Sequence, residues 1–471
     1  MKLLHGLGVG MLCLALAGCG TSGPTTTGAT GGGGKGASIR VIKGAEGIPQ
    51  GRSFDGPRVR RQDDPPLAPF FEQLEALETG RISTLTVLQL GDSHTAGDRF
   101  SGRMRELMQA RFGNAGRGML PPAVPYDGYR PTQVSVTSSG WSVTNSWVGK
   151  APGLFGITGF QAQARSASSV MAIEPKDDGR FDSLVIGFVR QPGGGTLIVR
   201  ADGAEIGRIP TDAPSLVSEM QAIDPASPIR RFELSPAGDG PVTLLSWTVQ
   251  RNARGVVWDS QGISGSTIGV MDRWNNDVVA RDLTVRNPAL VVLAYGTNEG
   301  FGDDLKEDQY TADLTRQIAM IRTSLPDAAI LLVTPPDGER LPRGCPGAFR
   351  SDVRYGCAPL VPGDARLHVK GKARGALCRW YSPPKLAMVR AVQAKVAADK
   401  KLALWDWSQI MPPVCGAHAW TQANPPLTRG DHVHMTVEGY AYSADAMFKS
   451  LMADYDGWRA AKASAPVVRE R

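Results

Sequence analysis

Apolar and polar positions along this chain follow two different rhythms. In the first, compact apolar runs alternate with segments whose apolar residues recur at helical spacing. Leu85–Leu90 reads as a strand and Arg99–Arg111 as a helix; Ala289–Ala294 is a strand continued by a helix over Asp308–Ser324. Ala329–Thr334 precedes a helix over Lys385–Ala398, and Leu402–Trp407 precedes the closing helix Glu438–Met452. Uninterrupted apolar strands alternating with helices predict an α/β fold, with a parallel sheet covered on both faces in three layers. The second rhythm fills residues 126–255. Short runs such as Trp141–Val148, Ser183–Val189, Thr196–Arg200 and Val242–Val249 are separated by Gly, Pro and Asp turns. This predicts an all-β sandwich inserted into the α/β domain. Its aromatics Tyr129, Trp141 and Trp147 are candidates either for stacking on sugar rings or for the core of the insert.

Hydropathy at the start of the chain has another meaning. Lys2 is followed by an apolar stretch, Leu3 to Ala17, and then by Leu16-Ala-Gly-Cys19. The stretch is short for a membrane span and has the layout of an export signal, residues 1–19, with a lipoprotein cleavage box. Cys19 is then the lipidated first residue of the mature protein. Glycine at position 20, where aspartate would retain a lipoprotein, favours the outer membrane of a Gram-negative cell. Residues 20–65 are rich in Gly, Thr, Ser and Pro, a composition that buries too little apolar surface to order itself, and read as a tether. The α/β segments are then 66–125 and 256–455, with 456–471 a tail.

Among the 471 residues, the formal charge of +7 invites a nucleic-acid partner. Lys and Arg are dispersed instead of gathered in a stripe, and export argues against it, so the expectation is no nucleic acid. A mildly basic surface suits contact with an anionic wall polymer. With Cys13 removed and Cys19 lipidated, Cys345, Cys357, Cys378 and Cys415 remain, and an even count in an exported protein points to two disulfides. Of the three possible connectivities, the favoured one is Cys345–Cys357, which closes a short loop, with Cys378–Cys415, which would clamp a helix to the segment after the next strand. The spacing lacks paired Cys-x-x-Cys, so neither a metal nor any cofactor is expected.

The candidate chemistry sits at the end of the first strand, in Gly91-Asp-Ser-His94. A turn there lifts Ser93 to the carboxyl edge of the sheet, where open α/β sheets hold their ligands. A serine hydroxyl needs a base, and the base needs a group that fixes its tautomer. Asp431-His-Val-His434 supplies both, with His434 as base and Asp431 as its orienting carboxylate. Acyl transfer also needs donors for the oxyanion, each typically worth ~2.7–4 kcal/mol of barrier. The Ser93 N–H, a glycine of Gly262-Ile-Ser-Gly265 and the Asn298 side chain of Gly296-Thr-Asn298 are the candidates.

Taken in order, Gly91-Asp92-Ser93, Gly265, Gly296-x-Asn298 and Asp431-x-x-His434 resemble the four sequence blocks of the SGNH (GDSL-type) hydrolases. More narrowly, Gln-Leu-Gly-Asp-Ser-His-Thr-Ala-Gly-Asp98 and Tyr-Gly-Thr-Asn-Glu299 look like the peptidoglycan O-acetylesterases of Gram-negative bacteria, which carry a β-sandwich between the serine and glycine blocks. His94 departs from the leucine of the GDSL name, as it does in that narrower group. Ile-Ser-Gly-Ser selects Gly265 over Gly262. The resemblance implies hydrolysis of the acetyl ester on C6 of N-acetylmuramic acid in O-acetylated peptidoglycan, by a periplasmic enzyme held to the membrane through its lipid. An O-acetyltransferase or another carbohydrate acetylesterase on the same scaffold is the alternative, and a non-catalytic wall-binding lipoprotein is a third reading.

Overall fold

The computed structural model describes residues 37–42, 65–149, 153–342, 345, 355–361 and 378–464. The export signal, Cys19, most of the tether and His368 lie outside the described residues. No helix among the described residues is long and apolar enough to cross a membrane.

Five strands form a wholly parallel sheet in the order Gly255–Gly262, Thr84–Gly91, Leu290–Ala294, Ala329–Val333, Ala403–Trp405. Thr84–Gly91 is buried from its second residue onward, as expected for a strand covered on both faces. One face packs against the helices Asn276–Arg286, Glu307–Ser324 and Pro384–Lys400, through Leu283, Ile318, Ile321, Val389 and Val392. On the other lie Ala68–Glu78, Phe100–Phe112 and the long closing helix Val437–Ser464. That last helix runs past Met452 to Ser464, through much of the 456–471 segment that reads in the sequence as a tail. Tyr455, just ahead of that segment, is fully buried, its ring 5.6 Å from Phe71.

Register matters more than strand count for the site. Gly262 pairs with Gly91, and Gly91 pairs with Ala294, so three neighbouring strands end level with one another. The residues that follow each strand therefore emerge on one edge.

The β region consists of two antiparallel sheets around a shared core that includes Phe188, Phe232 and Trp247. One sheet orders Ala204–Pro210, Thr196–Ala201, Phe232–Pro236, Val170–Pro175 and Val134–Ser139. The other includes Val217–Asp224, Ser183–Arg190, Val242–Gln250, Phe160–Ala164 and Ser142–Asn145. Two further strands join this second sheet from outside residues 126–255. Gly118–Leu120 pairs with Val242–Gln250, and Ser38–Val41, within the expected tether, pairs with Val217–Asp224.

Both disulfides exist, with the other pairing. Cys345 bonds Cys378 and Cys357 bonds Cys415, at Cα separations of 5.6 and 6.0 Å. The expected Cys345–Cys357 and Cys378–Cys415 pairs are wrong because short-loop closure is a weak guide. Each doubling of loop length costs only about 0.6 kcal/mol. Tertiary packing decides instead: Gly356 and Ala358 hydrogen-bond with Trp380, so Cys357 and the Cys378 segment run side by side and each bonds a cysteine from another part of the chain.

Candidate active site

After Gly91 the chain turns directly into the short helix Ser93–Ala96. Asp92 caps it, its Oδ1 accepting the His94 N–H at 2.9 Å. Gly91, Asp92, His94, Thr95 and Ala96 are buried while Ser93 is half-exposed, so the turn offers only the serine to solvent.

Asp431 organises the loop ahead of the closing helix. Its Oδ1 accepts the N–H groups of Val433 and His434, at 3.0 and 2.9 Å, and its Oδ2 accepts from His434 Nδ1 at 2.8 Å. Partial burial opposes a charge there, but these hydrogen bonds outweigh it and hold the carboxyl well below the usual range. With Nδ1 carrying the proton, His434 Nε2 is an acceptor, and it lies 2.9 Å from Ser93 Oγ. Ser93, His434 and Asp431 thus form one hydrogen-bonded line, in the order a nucleophile, base and orienting carboxylate require.

The two candidate glycines differ. A Cβ on Gly262 would stand 2.3 Å from the Ala96 nitrogen, so this glycine lets the strand end pack against the serine turn. Gly265 is exposed in a turn with φ +80°, a conformation that side chains disfavour. Among the described residues neither the Gly265 N–H nor the Ser93 N–H has an acceptor. Asn298 Nδ2 donates to the Ser266 carbonyl at 2.8 Å, leaving the amide's second N–H. Next to it, Glu299 Oε1 accepts the Ile268 N–H at 2.7 Å. Two bonds therefore fasten the Gly265 turn to the Asn298 turn. Glu299 has no task in the sequence reading; the signal available was a carboxylate adjacent to Asn298 in a buried setting.

Burial shapes the surrounding groups. It pushes the Asp92 carboxyl up to about 6 and that of Glu299 up to about 7. His94, whose Nδ1 meets the Tyr440 hydroxyl at 3.0 Å, is pushed down to about 3. Asp98 is no part of the pocket. It is buried between Arg105 and Arg117, each at 2.9 Å, and accepts from Thr132.

His432 and His418, unassigned in the sequence, form a pair of their own. His418 Nδ1 lies 3.0 Å from His432 Nε2, and His432 Nδ1 lies 3.0 Å from the Gly430 carbonyl. Trp380 stacks on the His432 ring at 3.6 Å. His432 is therefore an anchor of the Asp431–His434 loop, with both ring nitrogens engaged away from Ser93.

The three aromatics of the insert also separate. Tyr129 is buried and packs on Tyr126, and the Trp141 indole N–H is buried within the insert. Trp147 packs instead toward the α/β core, with its Nε1 3.5 Å from where a Cβ would stand on Gly265.

Residues 235–442 match the family model described as GDSL-like Lipase/Acylhydrolase. That span holds Gly265, Asn298, Asp431 and His434, while Ser93 lies ahead of the insert. No curated protein matches the sequence significantly. Among solved structures, one of a peptidoglycan O-acetylesterase is similar at TM-score 0.64 and 23% identity, covering 83% of this chain and 96% of that one. A family two carbohydrate esterase from Clostridium thermocellum, in complex with cellohexaose, is 11% identical at TM-score 0.26, over 63% of this chain and 95% of that one. An acetyl xylan esterase is 18% identical at TM-score 0.27, over 41% and 81%. The first is a likeness of fold over most of both chains. The GDSL-like match over residues 235–442 and the three-layer fold agree with the hydrogen-bonded line at the sheet edge, and together they mark the chain as a carboxylic ester hydrolase.

Proposed function

We propose that this protein is a serine acetylesterase that removes the C6 O-acetyl group of N-acetylmuramic acid from peptidoglycan. The observation that carries the chemistry is the pair of contacts on His434, Nδ1 to Asp431 and Nε2 to Ser93. The fold likeness to a peptidoglycan O-acetylesterase over most of both chains supports the substrate. In this reading Ser93 Oγ attacks the acetyl carbonyl as its proton passes to His434 Nε2. The carbonyl electron pair moves onto oxygen, facing the Ser93 and Gly265 N–H groups and the free Asn298 amide N–H. Collapse expels the sugar C6 oxygen, which takes the proton back from His434 and leaves an acetyl ester on Ser93. Water, deprotonated by His434, then releases acetate and restores the serine. Asp431 stays ionised and stabilises the imidazolium at each stage. The enzyme works in the periplasm on this account, lipid-anchored through Cys19 to the outer membrane.

Acetate release from acetylated and de-acetylated sacculi tests the proposal, alongside transfer to an added sugar acceptor. Wild type should release acetate only from the acetylated material. Ser93→Ala should lower kcat by on the order of 10⁴-fold or more, with Asp431→Asn milder than His434→Ala. Acetyl transfer to sugar in preference to water would make the enzyme a transferase, and a Ser93→Ala variant that keeps most of its rate would remove the nucleophile.

A further inference from the structure

We infer that Trp147, although it belongs to the β insert, is the stacking platform for the pyranose ring that carries the ester. The inference rests on the acetylesterase reading for the position of the reacting carbonyl.

The segment bearing Trp147 is built into the site from both sides. Asn145 Oδ1 accepts the N–H groups of Trp147 and Val148, at 3.0 and 2.8 Å, fixing the turn within the insert. From the α/β domain, Arg273 Nη1 donates to the Trp147 and Gly149 carbonyls at 3.3 and 2.6 Å. Trp274 Nε1 donates to Ser146 Oγ at 3.1 Å. Both donors sit just after the Gly265 turn, on or beside the short helix Ile268–Arg273. A loop from the insert is thus fastened to the element that presents the oxyanion glycine.

Its side chain is placed and left available. The indole nitrogen lies 3.5 Å from the Cβ position of Gly265, and its N–H has no acceptor among the described residues. Trp147 itself is half-exposed, and Val148 beside it is 67% exposed. A donor beside the oxyanion turn joined to a flat apolar face matches a sugar ring, which offers C–H groups on one face and hydroxyl or acetamido oxygens at its edge. Because the loop is already pinned, little ordering remains to offset the contact when a sugar arrives.

A small acetate ester has no ring to lay on the indole, so the test is a ratio. For each variant, kcat/KM on an O-acetylated glycan is divided by kcat/KM on 4-nitrophenyl acetate. Trp147→Ala should lower this ratio about tenfold, mainly through KM for the glycan. Trp147→Phe, which keeps a face but loses the donor, should fall between the two. Trp141→Phe, half-buried against the core of the insert, should leave the ratio unchanged. Equal loss on both substrates would overturn the inference, since Trp147 would then only support the Gly265 turn; so would a Trp147→Ala ratio equal to wild type. Acetylated peptidoglycan and acetylated xylan oligosaccharides serve as separate glycans. Wild-type activity on xylan alone would remove the peptidoglycan reading while the ratio still tests Trp147. Activity confined to the small ester would overturn both.

Discussion

The imidazoles of His434 and His94 lie with ring centroids 5.5 Å apart, and their surroundings treat them in opposite ways. His434 is half-exposed with Asp431 on Nδ1, a partner that welcomes positive charge. His94 is buried among Trp407, Tyr440 and His434, its Nδ1 meets the Tyr440 hydroxyl, and its Nε2 has no hydrogen-bond partner among the described residues. His94 is therefore held neutral beside the base. This division has a stability signature. Burial lowers His94 from its ordinary 6.5 to about 3, and His432 to about 4. As pH falls below 6.5, the unfolded chain takes up protons that these folded imidazoles refuse, so stability is lost through that window. His94→Phe cannot titrate. In thermal melts its midpoint relative to wild type should improve between about pH 7 and about pH 5. A pH-independent difference would mean that His94 titrates normally in the fold.

At the scale of elements, the carboxyl ends of three strands act as one unit because their register is level, and the loops beyond them are cross-tied. Glu299 is the tie whose removal is most readable. Glu299→Ala leaves the buried Ile268 N–H without its acceptor, a penalty of about 1–3 kcal/mol that frees the Gly265 turn. We expect kcat to fall roughly ten- to a hundredfold with a smaller change in KM, and Glu299→Gln, which keeps an acceptor oxygen, to recover most of it. Loss in KM alone would place Glu299 outside the oxyanion support. The strands ending at Leu90 and Ala294 were legible because each is an apolar run followed by a turn and a helical pattern. The Gly255–Gly262 strand is not legible as a separate element. It follows the insert directly and lacks the preceding helical crossover that marks a parallel neighbour. The Ser38–Val41 strand was hidden for another reason: four residues in a Gly- and Pro-rich stretch carry no periodicity, and only the waiting edge of Val217–Asp224 makes them a strand.

Across the whole molecule, residues distant in sequence are locked around one loop. Cys357 pairs in a bridge with Trp380, which stacks on His432, and Cys415 precedes the helix carrying His418, which meets the same ring. The Cys357–Cys415 bond therefore links the two supports of His432 to each other. Cys357→Ser with Cys415→Ser should lower kcat several-fold at temperatures where the protein stays folded, more than the pair Cys345→Ser with Cys378→Ser. Equal effects would mean that the bonds only stabilise. The correct pairing was illegible from spacing, since the bridge between Cys357 and Trp380 is a tertiary fact. The four-block site was legible because each block carries its own local turn chemistry.

The strand Ser38–Val41 also decides where the folded unit begins. It covers one edge of the seven-stranded sheet, and Ile42 behind it is buried against the α/β core. A chain started at Leu67, where the hydrolase elements begin, would keep every site residue yet leave the outer edge of Val217–Asp224 unpaired, its inner edge still bonded to Ser183–Arg190. Such an open edge invites pairing with another copy. Light scattering should show that this shortened chain self-associates while one started at Ala37 stays monodisperse, so the segment between tether and enzyme is a guard against aggregation.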